Sequence, residues 1–244
     1  MCSIILFDID GTLTLPAKPI ESNMLELLKK LSQTYDIALA TSSQLSKIES
    51  QVSPNVLNLE YIKYIFSQNG TVTYKDGKLI SELSIKTCYT EEQLQRLINF
   101  CLKYIAELTL PFKRGGFIDF RTSMITVSVI GQNCSLEERE YFIEFDKEHQ
   151  IRKKFIQKLK EEFKDYDLDF TIGGKISFEI FPKGWDKTYS LTHIKDKYET
   201  IWFFGDRVDK DGNDYHIYHN PLTKSYKVNS PDETLELCQQ LFMN

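Results

Sequence analysis

The chain has 244 residues, enough to bury a full core, and at roughly 100–150 residues per domain it reads more readily as two domains than one. With 41% hydrophobic and 27% charged residues and a net charge of −5, the composition fits a soluble globular protein without a long disordered tract. It argues against a nucleic-acid-binding surface and for a small substrate.

Ile4–Phe7 is a short apolar run ending at acidic and glycine residues, the pattern of a buried strand that runs into a turn. Met24, Leu27, Leu28 and Leu31 recur at helical spacing behind Ser22 as N-cap. Ile37–Ala40 is a second buried strand and ends at the hydroxyl cluster Thr41-Ser42-Ser43. Strand, helix, strand indicates a parallel sheet, whose ligands bind at the carboxyl ends of strands, where Asp8 and Thr41–Ser43 lie. After Tyr64–Phe66, the runs Thr71–Tyr74 and Leu79–Glu82 flank Lys75-Asp76-Gly77-Lys78, a hairpin signal because Asp-Gly tolerates positive φ.

From Glu91 to Leu108 the apolar spacing predicts a helix, followed by strands at Gly116–Arg121 and Met124–Ile130, a helix around Ile151–Phe163, and strands at Leu168–Ile172 and Lys175–Phe181. This is an α+β unit with an antiparallel sheet. From Trp185 the alternation resumes with a helix to about Ile194, a strand at Ile201–Phe204 ending in Gly205-Asp206, a strand at Tyr226–Val228 and a last helix from Pro231. The expected fold class is α/β: a parallel-sheet core made of residues 1–82 and 185–244, interrupted by an inserted α+β domain at 83–184. The five cysteines lack a C-x-x-C spacing and read as reduced thiols. The start M-C-S-I-I-L-F-D lacks the features of a signal peptide and no segment is long enough to span a membrane, so a cytoplasmic location is expected.

In F-D-I-D-G-T, two carboxylates stand two residues apart on the loop that leaves a buried strand. Asp8 can attack phosphorus, while Asp10 gives a proton to the leaving sugar oxygen or takes one from an attacking hydroxyl. Gly11 permits the tight turn, and Thr12 offers a hydroxyl and an amide to phosphate. A second acidic strand end, Phe203-Phe204-Gly205-Asp206, is followed by Gly212-Asn213-Asp214. If both strand ends share the carboxyl edge of the sheet, a hard cation is expected between Asp8 and Asp206, and oxygen ligands beside phosphate favour Mg²⁺. Lys187 supplies a positive charge. In the inserted domain, Arg114, Arg121 and Arg139 lie near glycines or helix starts, and Ser135-Leu136-Glu137-Glu138 reads as a capping box that puts Arg139 in a first helical turn, where anions bind.

The F-D-I-D-G-T loop, the hydroxyl cluster, Lys187 and Gly205-Asp206, in this order and at these strand ends, resemble the haloacid dehalogenase superfamily of phosphotransferases. The runs P-F-K-R-G-G-F-I-D-F-R (111–121), I-G-Q-N-C-S-L-E-E-R (130–139), I-G-G-K-I-S-F-E-I-F-P-K-G-W-D-K (172–187) and F-F-G-D…G-N-D (203–214) resemble eukaryotic-type phosphomannomutases, and the likeness spans essentially the whole chain. It implies a Rossmann-like core with an inserted cap for substrate specificity and homodimerisation. It also implies interconversion of mannose 6-phosphate and mannose 1-phosphate through an aspartyl-phosphate on Asp8, with Mg²⁺ and a hexose 1,6-bisphosphate, for GDP-mannose synthesis.

By the same resemblance Asp8, Asp10, Ser43 and Lys187 are catalytic; Arg121, Gln132, Arg139, Ser177 and Glu179 bind substrate; Asp8, Asp10 and Asp206 hold one cation; and Tyr218, Asn220 and Thr223 match a second, structural one. Thr41 lies closer to its strand end than Ser43, and the sequence leaves both open as the phosphate-binding hydroxyl. The chain departs from the pattern at Gln132 and Ala17, where the family has arginines, and at Glu179 and Asn220, where it has aspartates; Lys18 adjoins the first loss on the loop. Two alternatives remain at this point: a sugar-phosphate phosphatase on the same core, and a weakened protein that only binds a phosphorylated ligand.

Overall fold

The computed structural model describes residues 3–16 and 18–243. The chain divides into two compact units, Met1–Glu82 with Trp185–Asn244, and Leu83–Gly184. Ala17, named above, and Cys2, one of the five cysteines, lie outside the described residues.

The first unit is built on a seven-stranded sheet. Its strands are β1 (Ser3–Phe7), β2 (Asp36–Ala40), β3 (Tyr64–Ser67), β4 (Val72–Lys75) and β5 (Lys78–Glu82), and, numbered on past the second unit, β10 (Thr200–Gly205) and β11 (Thr223–Lys227). The order across the sheet is β11-β10-β1-β2-β3-β4-β5; the first five of these run parallel, and β4 and β5 are antiparallel additions. β1 is central and apolar on both faces, as a fully covered parallel strand must be. Ile5 and Phe7 pack into one core with Leu27, Leu28, Ile37 and Leu39. Ile4 and Leu6 pack into another with Ala38, Phe66, Leu191 and Phe203. Each of these four β1 side chains is wholly buried, which stabilises the fold by about 1.5–3 kcal/mol apiece.

Helix α1 (Ser22–Leu31) buries the predicted stripe Met24, Leu27, Leu28 and Leu31. The β4–β5 connection is tight because Asp76 and Gly77 both take positive φ, 48° and 73°, and a Cβ on Gly77 would stand 2.2 Å from the Leu57 carbonyl oxygen. The short helix α2 (Leu45–Gln51) was not apparent from apolar spacing, since only Ile48 and Gln51 are buried. The segment expected as a helix up to Ile194 is instead a 3-10 turn over Lys187–His193. After β10 come the single-turn helix α6 (Tyr215–Tyr218), β11, and α7 (Pro231–Phe242), which starts with Ser230 as N-cap and proline in its first turn.

The second unit holds α3 (Glu91–Glu107), β6 (Ile118–Phe120), β7 (Ile125–Ser128), α4 (Leu136–His149), α5 (Ile151–Glu162), β8 (Leu168–Thr171) and β9 (Ser177–Pro182). Its strands form an antiparallel sheet in the order β6-β7-β9-β8. Period-two alternation divides the sheet into two chemistries. Ile125, Val127, Phe178 and Ile180 pack with Leu97 and Cys101 of α3, Phe142 of α4 and Phe155 of α5. Thr126 opposite Glu179, and Ser128 opposite Ser177, alternate with them and make a polar face. The capping box signalled the start of helix α4 but nothing showed its extent: it buries only Phe142 and Asp146, too few apolar positions to show a period. Asp146 pairs with Arg152 of α5, which also donates to the carbonyls of Gly174 (2.7 Å) and Ser177 (3.1 Å). Among the described residues, no helix is long and apolar enough to cross a membrane.

Candidate active site

Asp8 is the first residue past β1, and its backbone N–H still donates to the Phe204 carbonyl (2.9 Å), so it is fixed at the carboxyl end of the β1–β10 pair. The loop then doubles back: Gly11 donates to Thr14 (2.7 Å), and Leu13 and Thr14 donate to Ile9 (2.9 and 3.0 Å). Gly11 has φ of 89°, and a Cβ there would lie 2.4 Å from Asp206 Oδ2. Only glycine both adopts this backbone and leaves room for the second carboxylate. From the far end of the chain, Thr234 Oγ1 donates to the Thr12 carbonyl (2.7 Å), tying α7 to the loop.

Lys187 is wholly buried and points its ammonium at two carboxylates. Its Nζ is 2.6 Å from Asp8 Oδ1 and also bonds Asp214 Oδ1. Asp214 Oδ2 accepts from the Arg207 N–H (3.1 Å). Carboxylate oxygens of Asp8, Asp206 and Asp214 lie within 4.8 Å of one another. One lysine against three carboxylates leaves the buried cluster short of positive charge, which, with burial, shifts Asp8 and Asp206. Burial, the largest influence, lifts Asp8 well above the ordinary carboxylate range against the pull of Lys187, and Asp214 and Asp206 lift it further. Asp206 is pushed up to about 6, by burial first and by Asp214 second. Burial disfavours the Lys187 ammonium, but Asp214 and Asp8 outweigh it and raise its pKa.

The donor set fits a hard divalent cation. It consists of carboxylate oxygens, the cluster is short of positive charge, and the Oδ1 atoms of Asp206 and Asn213 are buried without a hydrogen-bond partner. Thr12 Oγ1, in the loop that follows Asp8, is likewise buried and without a partner. Asp214 was named in the sequence as part of a motif but given no role, and its grip on Lys187 is the feature the motif conceals.

The other expected site residues fall in separate places. The carboxylate of Asp10 faces α2, where it bonds Lys47 Nζ and accepts from Gln51 Nε2 (2.8 Å), outside the three-carboxylate cluster. Neither Lys47 nor Gln51 stood out in the sequence. Ser43 is buried; its N–H donates to Thr41 Oγ1 (3.1 Å) and its carbonyl accepts from Ser67 Oγ (2.8 Å). Beside β11, Thr223 Oγ1 donates to the carbonyls of Ile217 (2.7 Å) and Asn220 (2.9 Å), and Asn220 Oδ1 accepts from Leu222 N (3.0 Å), so hydrogen bonds join this loop where a second cation was expected. Tyr218 ends α6 in the same loop.

In the second unit, Arg121 Nε donates to Asp119 (2.7 Å), Gln132 Nε2 to Ser128 Oγ (2.6 Å), and Arg139 to the Gln132 carbonyl (2.7 Å). Gln132 and Arg139 are therefore neighbours, and Gln132 reaches β7. The capping box at Ser135 and Glu138 is formed, which places Arg139 in the first turn of α4 as expected. Arg114 is paired with Glu138 (2.6 Å). Glu179 is buried and accepts from Thr171 Oγ1 (3.0 Å), while Ser177 lies opposite Ser128.

The site thus sets a buried carboxylate at the end of a central parallel strand beside a buried lysine and two further acids from the loop after the neighbouring strand, and solved structures share the fold that carries it. A haloacid dehalogenase-like hydrolase from Bacteroides thetaiotaomicron covers 99% of this chain and 100% of its own, with a TM-score of 0.56 at 16% identity. The C-terminal domain of Candida albicans trehalose-6-phosphate phosphatase covers 98% and 91%, with a TM-score of 0.65 at 15% identity. These likenesses show a haloacid dehalogenase-like fold.

Within it, the family model described as eukaryotic phosphomannomutase matches residues 24–244. A phosphomannomutase of Dendrobium officinale is 48% identical over 240 residues, spanning 98% of this chain and 94% of its own, and one of Arabidopsis thaliana is 48% identical over 241 residues, spanning 99% and 97%. The chain belongs to the eukaryotic phosphomannomutase family.

Proposed function

We propose that the protein interconverts mannose 6-phosphate and mannose 1-phosphate, with Asp8 as the phosphoryl carrier. The observation that carries this reading is the buried Asp8–Lys187 contact at the end of β1. A carboxylate stripped of water is a stronger nucleophile, and the adjoining ammonium favours its ionised form against the burial that lifts its pKa. With Oδ1 held by Lys187, Oδ2 is the oxygen that attacks. In the first half-reaction Asp8 Oδ2 bonds to phosphorus of a hexose 1,6-bisphosphate, the P–O bond to the sugar breaks, and Asp10 gives the departing oxygen its proton. In the second, Asp10 takes the proton of a hydroxyl on the monophosphate, that oxygen bonds to phosphorus, and the bond to Asp8 breaks.

Asp8 and Asp206, with Asn213 at hand, would hold a Mg²⁺ ion, which would supply charge neutralisation for the phosphoryl oxygens. Lys187 contributes fixed positive charge at the same place, and the Thr12 hydroxyl and the Thr41–Ser43 loop offer donors to the phosphoryl group. Unit Leu83–Gly184 is assigned the recognition of the sugar phosphate through Arg121, Gln132, Arg139, Ser177 and Glu179, and pairing of two copies of the chain. Its product would enter GDP-mannose synthesis in the cytoplasm. Incubation with mannose 1-phosphate, Mg²⁺ and glucose 1,6-bisphosphate should yield mannose 6-phosphate. Free phosphate as the main product would instead make the protein a sugar-phosphate phosphatase, and binding without turnover would make it a phospho-ligand-binding protein.

A further inference from the structure

Past the end of β3, three consecutive residues lie in the left-handed region: Gln68, Asn69 and Gly70 have φ of 47°, 63° and 88°. Side-chain-bearing residues rarely adopt it, because Cβ crowds the backbone carbonyl, and adjoining examples persist only where their surroundings hold them. Here the surroundings are the backbone of the candidate active site. The N–H groups of Gln68 and Asn69 donate to the carbonyls of Ser43 (3.1 Å) and Thr41 (2.9 Å).

On the other side, Asn69 Nδ2 donates to the Trp185 carbonyl (3.2 Å), and His193 Nε2 lies 3.1 Å from the Gly70 carbonyl. A Cβ on Gly70 would come within 2.7 Å of Ser190 N and Cα. Ser190 Oγ in turn donates to the Lys187 carbonyl (2.7 Å). One turn thus fastens the hydroxyl loop on one flank and the segment carrying Lys187 on the other.

Asn69 is 1% exposed, and its Oδ1 is buried without a hydrogen-bond partner. Glycine would relax the backbone and remove that unpaired oxygen, so on stability alone glycine suits the position at least as well. What glycine cannot do is hold Trp185. We propose that Asn69 is a positioning residue for phosphoryl transfer: its side-chain amide fixes the peptide two residues before Lys187, and its backbone N–H fixes Thr41, setting the ammonium against the hydroxyl loop. This rests on the reading of Asp8 as the nucleophile.

The test is Asn69→Gly, with Asn69→Asp as a second variant that keeps the size and the tolerance for positive φ but lacks the Nδ2 donor. Thermal unfolding, steady-state kinetics and the single-turnover transfer of label from glucose 1,6-bisphosphate to Asp8 are compared with wild type. The expected result is an Asn69→Gly protein with unchanged or higher Tm, kcat and the transfer rate lowered about tenfold or more, the loss of a hydrogen bond worth at least a factor of ten in the transition state, and KM within about threefold. Asn69→Asp should lose kcat similarly. A folded variant of either kind with kcat within twofold of wild type overturns the proposal. Failure of wild type itself to label Asp8 would refute the nucleophile assignment instead, and is read in the same experiment.

Discussion

Replacing Lys187 with methionine keeps the length and apolar stem of the side chain and removes only the charge between Asp8 and Asp214. Both ends of this interaction are buried: Lys187 and Asp214 side chains are 0% exposed and Asp8 6%. Deleting one member of such a group leaves uncompensated charge in a medium that solvates it poorly, at a cost of about 3–5 kcal/mol. The cost depends on pH. A carboxyl whose folded-state pKa is raised holds its proton more tightly in the folded than in the unfolded chain, so stability falls as pH climbs from the unfolded pKa through the folded one, then levels off.

In the metal-free wild type Asp206, pushed from 3.8 up to about 6, makes stability decline between about pH 4 and 6 by up to ~3 kcal/mol. In Lys187→Met, Asp8, already raised by burial in the wild type, loses the ammonium that opposes the shift and is raised further, so the decline reaches to higher pH. The difference between the two proteins is thus largest near pH 8 and shrinks towards pH 5, where protons do the work of the lysine. Urea unfolding in EDTA, followed by the fluorescence of Trp185 and Trp202, both in the unit that holds the site, measures this directly. A loss under about 1 kcal/mol at pH 8, or one equal at pH 5 and pH 8, would refute the reasoning.

Asp8→Asn should abolish labelling of the protein by glucose 1,6-bisphosphate while leaving metal-free stability equal to or above wild type, because one of three crowded charges is gone; residual activity near wild type would overturn the nucleophile assignment. Gly11→Ala should destabilise the fold by about 2 kcal/mol or more, since its Cβ meets Asp206 Oδ2 at 2.4 Å and its φ of 89° is unfavourable, and calorimetry should show weakened Mg²⁺ binding as Asp206 is displaced. Gln132→Arg exchanges the bond to Ser128 for a second guanidinium beside Arg139, and KM for mannose 1-phosphate should fall about tenfold, the worth of one charge-assisted hydrogen bond. An unchanged KM would remove Gln132 from the substrate site.

The parts of this protein legible in its sequence are those in which local pattern and tertiary role coincide. β1 had to be apolar on both faces because it is central, and its abrupt end at Asp8 reads directly as a strand end. The Asp76-Gly77 hairpin and the Ser135–Glu138 capping box carry their geometry in a few adjacent residues. Other features have little or no local signature. The capping box marks where α4 starts, but its body is held by Asp146 reaching Arg152 and has no apolar stripe to show its length. Lys187–His193 narrows to a 3-10 turn, where Asp186 caps the start and the Ser190 hydroxyl bonds back to Lys187. Lys47 and Gln51 look like solvent-facing residues of a short helix until the fold brings Asp10 to them from 37 and 41 positions away. Asp214 is visible as an acid, but its role depends on a lysine 27 residues earlier.

The central place of β1 also governs when the protein can become an enzyme. One neighbour, β2, follows within a few dozen residues, but the other, β10, begins only at Thr200, and α7 braces the catalytic loop from residue 234. On the ribosome, therefore, the strand made first waits with one hydrogen-bonding edge open until almost the whole chain has been synthesised, while Leu83–Gly184 already has its own core to collapse around. Asp8 and Asp206 meet late, and the nascent chain stays chemically silent until they do. Pairings so distant in sequence form late, and because α7 reaches the Asp8 loop through Thr234, truncation in α7 should loosen that loop from far along the sequence.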